Sequence, residues 1–277
     1  MKGPTREQAA GPAPFDLDKA RALVATSGNR FQCKVANYFR ARAWAVLLSP
    51  YYVDSSSDKT RELDLIVERQ FPVPAMRPGP PKAIAVRLFI ECKYIANGVV
   101  FWIDEMDFWR ARDWICTNTN CFRPDNIYTN QHHYLTRGST AAKLFETDKK
   151  QRGGEDIDPM FRTVNQCLNG YIHTKSRELL TGNTVGAEIT QLNYPVVVRS
   201  SFAQFFQTHT AADPDIEPPT PMQDNFGLEV NYAYVIPSRG AVKQYFLVDV
   251  LDFAKLDDFL QAIAVEVQGA INMIRDV

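Results

Sequence analysis

The sequence predicts an α/β fold in which a mixed central β-sheet is flanked by helices. Apolar runs of strand length alternate with stretches whose apolar residues recur at helical spacing. Residues 83–90 are almost continuously apolar, as in a strand that is buried on both faces. Residues 256–274 form an amphipathic stretch long enough for a terminal helix. With 277 residues, the chain is expected to form one domain over residues 15–277 after a flexible tail of residues 1–14.

The first half of the chain predicts helices followed by strands. The expected elements are a helix over 17–25 capped by Asp16, a helix that follows the break at 26–28, and strands over 45–53, 61–67 and 83–90. Pro50 is expected to interrupt the first of these strands. Five prolines in residues 71–83 exclude a helix or a central strand there. That segment is therefore predicted to be a long hairpin loop.

The second half predicts further elements around the same sheet. They are a strand over 99–102, helices over 107–116 and 159–172, a strand over 194–198, a helix over 202–207 capped by Ser200 and Ser201, strands over 228–236 and 245–251, and the terminal helix over 256–274. Asp158 and Pro159 mark the start of the 159–172 helix, since Pro is favoured at the first helical position. Residues 117–157 are predicted to be mostly loop.

Charged residues interrupt two of the predicted strands. Side chains on a strand alternate between faces, so Glu91 and Lys93 should point the same way and Cys92 the other way. By the same rule, Glu62 and Asp64 should share a face. If the two strands pair through the hairpin, carboxylates and one ammonium group converge. Carboxylate oxygens are ligands of Mg²⁺, and buried charges are costly unless they are paired or bound to metal.

The order helix, strand, strand with Asp64, strand with Glu91-x-Lys93, helix, strand resembles the PD-(D/E)xK superfamily of restriction-endonuclease-like nucleases. It is similar in particular to Mrr-like and Cap4-like effector nucleases of bacterial DNA restriction and anti-phage defence. The resemblance covers residues 27–102 and extends through the later helix and strand. It implies a restriction-endonuclease-like core of order αβββαβ, with extra C-terminal strands and a helix.

The resemblance also implies the roles of individual residues. Asp64 and Glu91 would be the metal-binding carboxylates, and the backbone carbonyl of Cys92 a further ligand. Lys93 would position the attacking water and offset charge on the phosphate. The implied cofactor is Mg²⁺, with Mn²⁺ as a substitute, and the implied reaction is hydrolysis of DNA phosphodiester bonds.

Gln32 departs from the pattern of these relatives. Many of them carry a Phe-Glu pair on the first core helix, whereas this chain has Phe31 and Gln32. Two interpretations of Gln32 are open. It has an accessory role at the site, or it is an exposed polar residue of the helix with no role there. Glu62 could supply the missing charge. The alternative function is a catalytically degenerate, nuclease-like module that binds nucleic acid or scaffolds a larger complex.

The net charge of −1 argues against a large free-standing surface for nucleic acid. The expected partner is DNA, with RNA left open, and the resemblance implies a sensor or motor subunit that delivers it. The terminal helix is expected to cover the core but could also form a homo-oligomer. The five cysteines lack a CxxC motif, which fits reduced thiols in the cytoplasm. No apolar stretch predicts a signal peptide or a membrane span.

Two further groups of residues invite a functional interpretation. Cys116 and Cys121 precede His132 and His133, but this spacing matches no common structural zinc pattern, so separate structural roles are predicted. Basic residues also alternate with aromatic residues after the motif. The basic set is Arg110, Arg112, Arg123, Lys143, Lys149, Lys150 and Arg152, and the aromatic set is Trp109, Trp114 and Phe122. They form either a phosphate-tracking surface or a solvated face above a core helix.

Overall fold

The computed structural model describes residues 16–54, 58–75, 78–95, 97–119, 122–136, 140–148, 158–182, 186–213, 215–236 and 240–275. The predicted tail, residues 1–14, lies outside the described residues. The helices are α1 (Leu17–Thr26), α2 (Asn29–Arg40), α3 (Phe108–Asn118), α4 (His133–Thr136), α5 (Pro159–Thr174) and α6 (Leu256–Arg275). Short 3₁₀ helices span Ile127–Gln131 and Phe253–Lys255.

The strands build one large sheet and one small one. They are β1 (Ala45–Leu48), β2 (Tyr51–Asp54), β3 (Lys59–Glu62), β4 (Leu65–Val73), β5 (Lys82–Lys93), β6 (Val99–Glu105), β7 (Thr140–Thr147), β8 (Glu188–Arg199), β9 (Phe205–His209), β10 (Thr220–Pro221), β11 (Phe226–Ile236) and β12 (Gly240–Asp252). The large sheet has ten strands in the order β1-β4-β5-β8-β12-β11-β7-β6-β9-β10, and β2 pairs with β3.

The large sheet is mixed, as the sequence predicts. Strand β4 pairs antiparallel with β5, whereas β5 pairs parallel with β8 and β8 parallel with β12. The predicted 228–236 and 245–251 pair is confirmed as the antiparallel pair β11–β12. The α/β class with helices flanking a mixed sheet is therefore confirmed. Within the described residues, no helix combines the length and the apolar character needed to cross a membrane.

The central strand β5 is buried on both faces, as its apolar run predicts. Phe89 packs edge-to-face on Tyr171 of α5, with ring centroids 5.2 Å apart, so α5 covers this face. Leu88 faces the other way, in register with Tyr194 of β8, whose hydroxyl donates to Glu266 of α6. Helix α6 therefore covers the second face. Because side chains alternate along β5, Glu91 and Lys93 lie on the same face as Phe89.

Local sequence signals place several helix ends correctly. The carboxylate of Asp16 accepts from Lys19 N–H (2.9 Å) at the start of α1. Asp158 accepts from Met160 N–H (2.7 Å) and Phe161 N–H (3.1 Å), and Pro159 occupies the first turn of α5. These side chains satisfy amide groups that have no partner within the helix.

Two predictions about the second half are wrong. The segment predicted as a 202–207 helix instead leads into strand β9, which pairs parallel with β6. Phe202 N–H donates to Asp252 (2.7 Å), and Phe205 packs on Phe101 with centroids 4.9 Å apart, so distant residues override the local capping signal. The 117–157 stretch, predicted as loop, contains the eight-residue strand β7.

The proline-rich hairpin is shorter than predicted. Strand β4 continues to Val73 and β5 begins at Lys82, so Pro72 lies within a strand. The opposite neighbour β1 pairs with β4 only as far as Glu68. Pro72 therefore lies where β4 has one sheet partner, and its missing N–H removes no bond on the other side.

Candidate metal-binding active site

A bend at Leu63 and Asp64 replaces the continuous 61–67 strand that the sequence predicts. Leu63 N–H donates to Pro50 C=O (3.1 Å), and Ser49 N–H donates to Asp64 C=O (2.9 Å). The chain thereby passes from the small β2–β3 sheet into the large sheet. The prediction that Glu62 and Asp64 share a strand face is wrong, because Glu62 ends β3 and Asp64 precedes β4.

The Asp64 carboxylate is fixed against the end of β5. Its Oδ2 accepts from Cys92 N–H at 2.7 Å, just beyond the last β4–β5 pair, Leu65 with Ile90. Burial raises the pKa of Asp64, the charge of Lys93 and the Cys92 N–H lower it, and the charge of Glu62 raises it further. Glu62 is thus close enough to act on Asp64 electrostatically.

Glu91 is the most buried acid of this site. Its Oε1 lies 2.5 Å from Lys93 Nζ, whereas its Oε2 is buried with no hydrogen-bond partner among the described residues. Burial, followed by the charge of Asp64, raises the pKa of Glu91 to about 8. Burial lowers the pKa of Lys93, but the charges of Glu91 and Asp64 outweigh that effect and raise it overall. The predicted convergence of Asp64, Glu91 and Lys93 is present.

The backbone of Cys92 faces the same site. A residue in a strand directs its N–H and C=O to the same neighbour. Because Cys92 N–H points at Asp64, the Cys92 carbonyl is directed past the end of β4 towards Asp64 as well. The Cys92 side chain is buried in the core, on the opposite face from Glu91 and Lys93. This arrangement puts two carboxylates and one carbonyl within one small region.

Gln32 anchors the bend rather than standing in solvent. It is only 6% exposed, and its Nε2 donates to Asp64 C=O at 2.6 Å and to Ser49 Oγ at 3.1 Å. Helix α2 therefore holds the residue that carries the first carboxylate. The alternative of an exposed helix residue is wrong, and the Gln32 amide acts here as a hydrogen-bond donor.

The structure adds two residues that the sequence did not single out. The Tyr52 hydroxyl is buried with no hydrogen-bond partner among the described residues, and burial followed by the charge of Glu91 raises its pKa. Arg162 of α5 is exposed, and its charge lowers the pKa of Lys93, so it lies near the site. The alternation in β2 could have placed Tyr52 inwards, whereas no local signal marks Arg162.

The basic and aromatic segment divides into buried and exposed parts. Trp114 and Phe122 are buried and Trp109 is 73% exposed, so most of the aromatic set belongs to the core. Lys143 pairs with Glu229 at 2.7 Å. Lys149, Lys150 and Arg152 lie outside the described residues. The interpretation as one stacking surface is therefore wrong for Trp114 and Phe122.

The chain was compared with family models, with curated proteins and with solved structures, and none of the three comparisons finds a match.

Proposed function

We propose that this protein is a metal-dependent endonuclease that hydrolyses DNA phosphodiester bonds with Asp64, Glu91 and Lys93. The single observation that carries the proposal is that the buried Glu91 carboxylate lies close enough to Asp64 for the charge of Asp64 to raise its pKa, and its Oε2 has no hydrogen-bond partner of normal geometry among the described residues. A buried carboxylate oxygen without a donor is costly unless a cation compensates it.

The residues of the site suit Mg²⁺ in type. Mg²⁺ prefers oxygen ligands and is bound through one or two carboxylates together with water and substrate phosphates. Asp64, Glu91 and the Cys92 carbonyl offer this set of ligands. Mn²⁺ would substitute for it. A cation bound there would stabilise charge that develops on the phosphoryl oxygens and lower the pKa of a water molecule.

The protein groups have separate tasks in this proposal. Gln32 and the Cys92 N–H hold Asp64 in place. Lys93 Nζ lies 2.5 Å from Glu91 Oε1, and its ammonium group would offset charge on a phosphate oxygen of the substrate. Arg162 at the start of α5 adds positive potential at the entrance to the site, which favours a polyanion.

The arrangement of strands supports the finer fold proposal, a restriction-endonuclease-like core. Elements α2, β1, β4, β5, α5 and β8 follow the order αβββαβ, and their four strands are consecutive in the sheet. The additional strands β6, β7 and β9–β12 extend the same sheet beyond β8. In this proposal, DNA is the substrate, a sensor or motor subunit delivers it, and the setting is restriction or anti-phage defence in the cytoplasm.

Cleavage of plasmid DNA in Mg²⁺ or Mn²⁺ tests the proposal. We expect Asp64→Asn, Glu91→Gln and Lys93→Ala each to reduce cleavage by at least about 10²-fold, the scale on which loss of one transition-state contact acts. Glu188→Gln is the control, because it removes an exposed carboxylate at the opposite end of the β5–β8 pair. Cleavage by Lys93→Ala at the wild-type rate would contradict the assignment.

A second candidate function is a nuclease-like module that binds nucleic acid or scaffolds a complex without cutting. Two observations favour it: Gln32 replaces an acid, and Lys93 already pairs with Glu91. Calorimetric titration with Mn²⁺ separates the candidates. The nuclease proposal expects binding that Asp64→Asn removes, whereas absence of Mn²⁺ binding to wild-type protein supports the second candidate.

A further inference from the structure

A second cluster of metal-ligand side chains lies on the α6 face of the sheet, opposite Glu91. It consists of His132, His133 and Glu266, all of them buried. One ligand atom from each lies within 4.8 Å of the others. His132 is the C-cap of the 3₁₀ helix Ile127–Gln131, and His133 begins α4. Glu266 comes from the middle of α6. The cluster therefore joins two distant parts of the chain.

The two histidines approach different oxygens of the same carboxylate. His132 Nε2 lies 2.9 Å from Glu266 Oε1, and His133 Nδ1 lies 2.7 Å from Glu266 Oε2. The imidazole rings are stacked, with centroids 4.8 Å apart and planes 24° apart. Both nitrogens thus converge on Glu266, whose Oε1 also accepts from the Tyr194 hydroxyl.

The second nitrogen of His133 has the partner that a metal-bound histidine usually has. His133 Nε2 lies 3.2 Å from Asp249 Oδ2, and Tyr134 donates its hydroxyl to the same oxygen at 2.7 Å. A ligating histidine normally donates its other N–H to a carboxylate, which fixes its tautomer and ring orientation. This contact is an observation independent of the cluster itself, because Asp249 comes from β12.

Charge and ligand chemistry favour a divalent transition ion over Mg²⁺. Two neutral imidazoles and two carboxylates together carry a charge of −2, which one divalent cation balances inside the core. Imidazole nitrogen suits Zn²⁺ and its neighbours in the first transition row, whereas Mg²⁺ prefers oxygen. The three side chains are buried, so a substrate could not reach an ion held between them, which favours a structural rather than a catalytic role.

We propose that His132 Nε2, His133 Nδ1 and the two oxygens of Glu266 hold a structural Zn²⁺ ion, with Asp249 orienting His133. Zinc bonds of about 2.0–2.1 Å place ligand atoms of different residues about 3.4 Å apart in a tetrahedral site, so a pair at the full 4.8 Å would have to close by about 1.4 Å. The ion replaces the protons between the histidines and Glu266. It joins the 127–136 segment to α6 on the face that the nuclease site does not use.

Zinc content and zinc binding test this site. We expect about one equivalent of Zn²⁺ in native wild-type protein, and after chelation we expect a competition assay with a chromophoric chelator to restore one equivalent. His132→Gln and Glu266→Gln should bind at least about a hundredfold more weakly. Asp249→Asn, which alters only the orienting group, should weaken binding by about 10–100-fold. His209→Gln is the control for adventitious binding, because His209 is exposed.

A measurement on unaltered protein covers the case in which the buried variants do not fold. Co²⁺ added to chelated wild-type protein should give the strong visible absorption of a four-coordinate ion, and Zn²⁺ should displace it. Mg²⁺ should not. Absence of this spectrum would overturn the proposal, as would one equivalent of zinc retained by Glu266→Gln. Either result would show that protons alone hold the cluster together.

Discussion

The raised pKa of Glu91, a proposed metal ligand, predicts that the stability of the metal-free protein depends on pH. Its pKa is raised to about 8 in the folded protein, mainly by burial. Between about pH 4.5 and 8, the folded state keeps a proton that the unfolded chain has released. Stability is therefore fully present below about pH 4.5 and is lost as the pH rises towards 8.

We expect metal-free protein in a chelating buffer to lose roughly 3–5 kcal/mol of unfolding free energy across that interval, at about 1.4 kcal/mol per pKa unit. Urea unfolding at a series of pH values measures the loss. Glu91→Gln should flatten the curve, and Mg²⁺ should restore stability at pH 8 because it binds the ionised form. A decline that persists unchanged in Glu91→Gln would show that another group titrates.

Two buried tyrosines offer a matched comparison of hydroxyl groups. The Tyr52 hydroxyl has no hydrogen-bond partner among the described residues, whereas the Tyr171 hydroxyl donates to Asn118 at 2.8 Å. Tyr52→Phe should therefore leave stability unchanged or raise it by about 1 kcal/mol, and Tyr171→Phe should lower it by about 1 kcal/mol. Urea unfolding of both variants checks the difference, and equal losses would contradict it.

The sequence could predict the convergence of Asp64, Glu91 and Lys93, because strand alternation and the predicted hairpin place them together. It could not assign Gln32, since its partner is a backbone carbonyl 32 positions away. The alternation of β2 directs Tyr52 inwards, whereas no local pattern marks Arg162, which acts on Lys93 through its charge.

At the scale of elements, the closest approach near the site is between α5 and the bend before β4. A Cβ added at Gly170 would lie 2.7 Å from Leu63 Cδ1 and 3.1 Å from Leu63 Cβ. Glycine at this position lets α5 pack directly on the residue preceding Asp64. The helix thereby supports the bend from the face on which Glu91 lies.

Gly170→Ala should lower stability by about 1–3 kcal/mol through overpacking, and it should weaken Mn²⁺ binding by displacing the bend. Gly269→Ala is the control, because its added Cβ would meet only ordinary contacts at 3.7 Å and would favour the α6 helix. Thermal unfolding and calorimetry measure both effects. Equal stability of the two variants would contradict the argument.

The predicted elements that failed share a cause. The 61–67 run has strand propensity throughout, yet the bend at Leu63 is imposed by Pro50 and Ser49. The capping signal of Ser200 and Ser201 does not produce a helix, because the following residues pair with β6 as strand β9. Local propensity is a weak prior where sheet partners come from distant parts of the chain.

At the scale of the whole molecule, the large sheet has two narrow connections among the described residues, because β7 and β11 are paired only at Ala142 with Leu228 and β8 and β12 at few positions. Strands β8 and β12 are paired at four positions, from Asp249 with Val196 to Asp252 with Arg199. Helix α6 contacts β4 and β5 on one side of this connection and β12 on the other. The core cluster is likewise continuous across it.

We expect the part of the sheet from β4 to β12 to unfold as one cooperative unit, since α6 spans the β8–β12 connection. Hydrogen exchange in low denaturant should show amides of β5 and of β12 with the same highest protection, because both exchange only by global opening. Much lower protection of β12 would show two separately unfolding halves. The overall α/β class was predictable from composition and alternation, whereas the strand order was not, since it depends on crossovers between remote strands.

The hydrogen bond from Cys92 N–H to Asp64 Oδ2 gives Asp64 a structural role in addition to its proposed role in metal binding. The side chain at position 64 must accept the hydrogen bond from Cys92 N–H near the end of β5, whether or not the protein cuts DNA. In a descendant that has lost the reaction, pressure to fold would still retain Asp or Asn there. Glu91 pairs with Lys93 through Oε1, whereas its Oε2 has no hydrogen-bond partner of normal geometry among the described residues, so folding depends on that second oxygen less than a bound metal would. If the nuclease proposal holds, a change at Glu91 between homologues is therefore a more informative sign of lost activity than a change at Asp64.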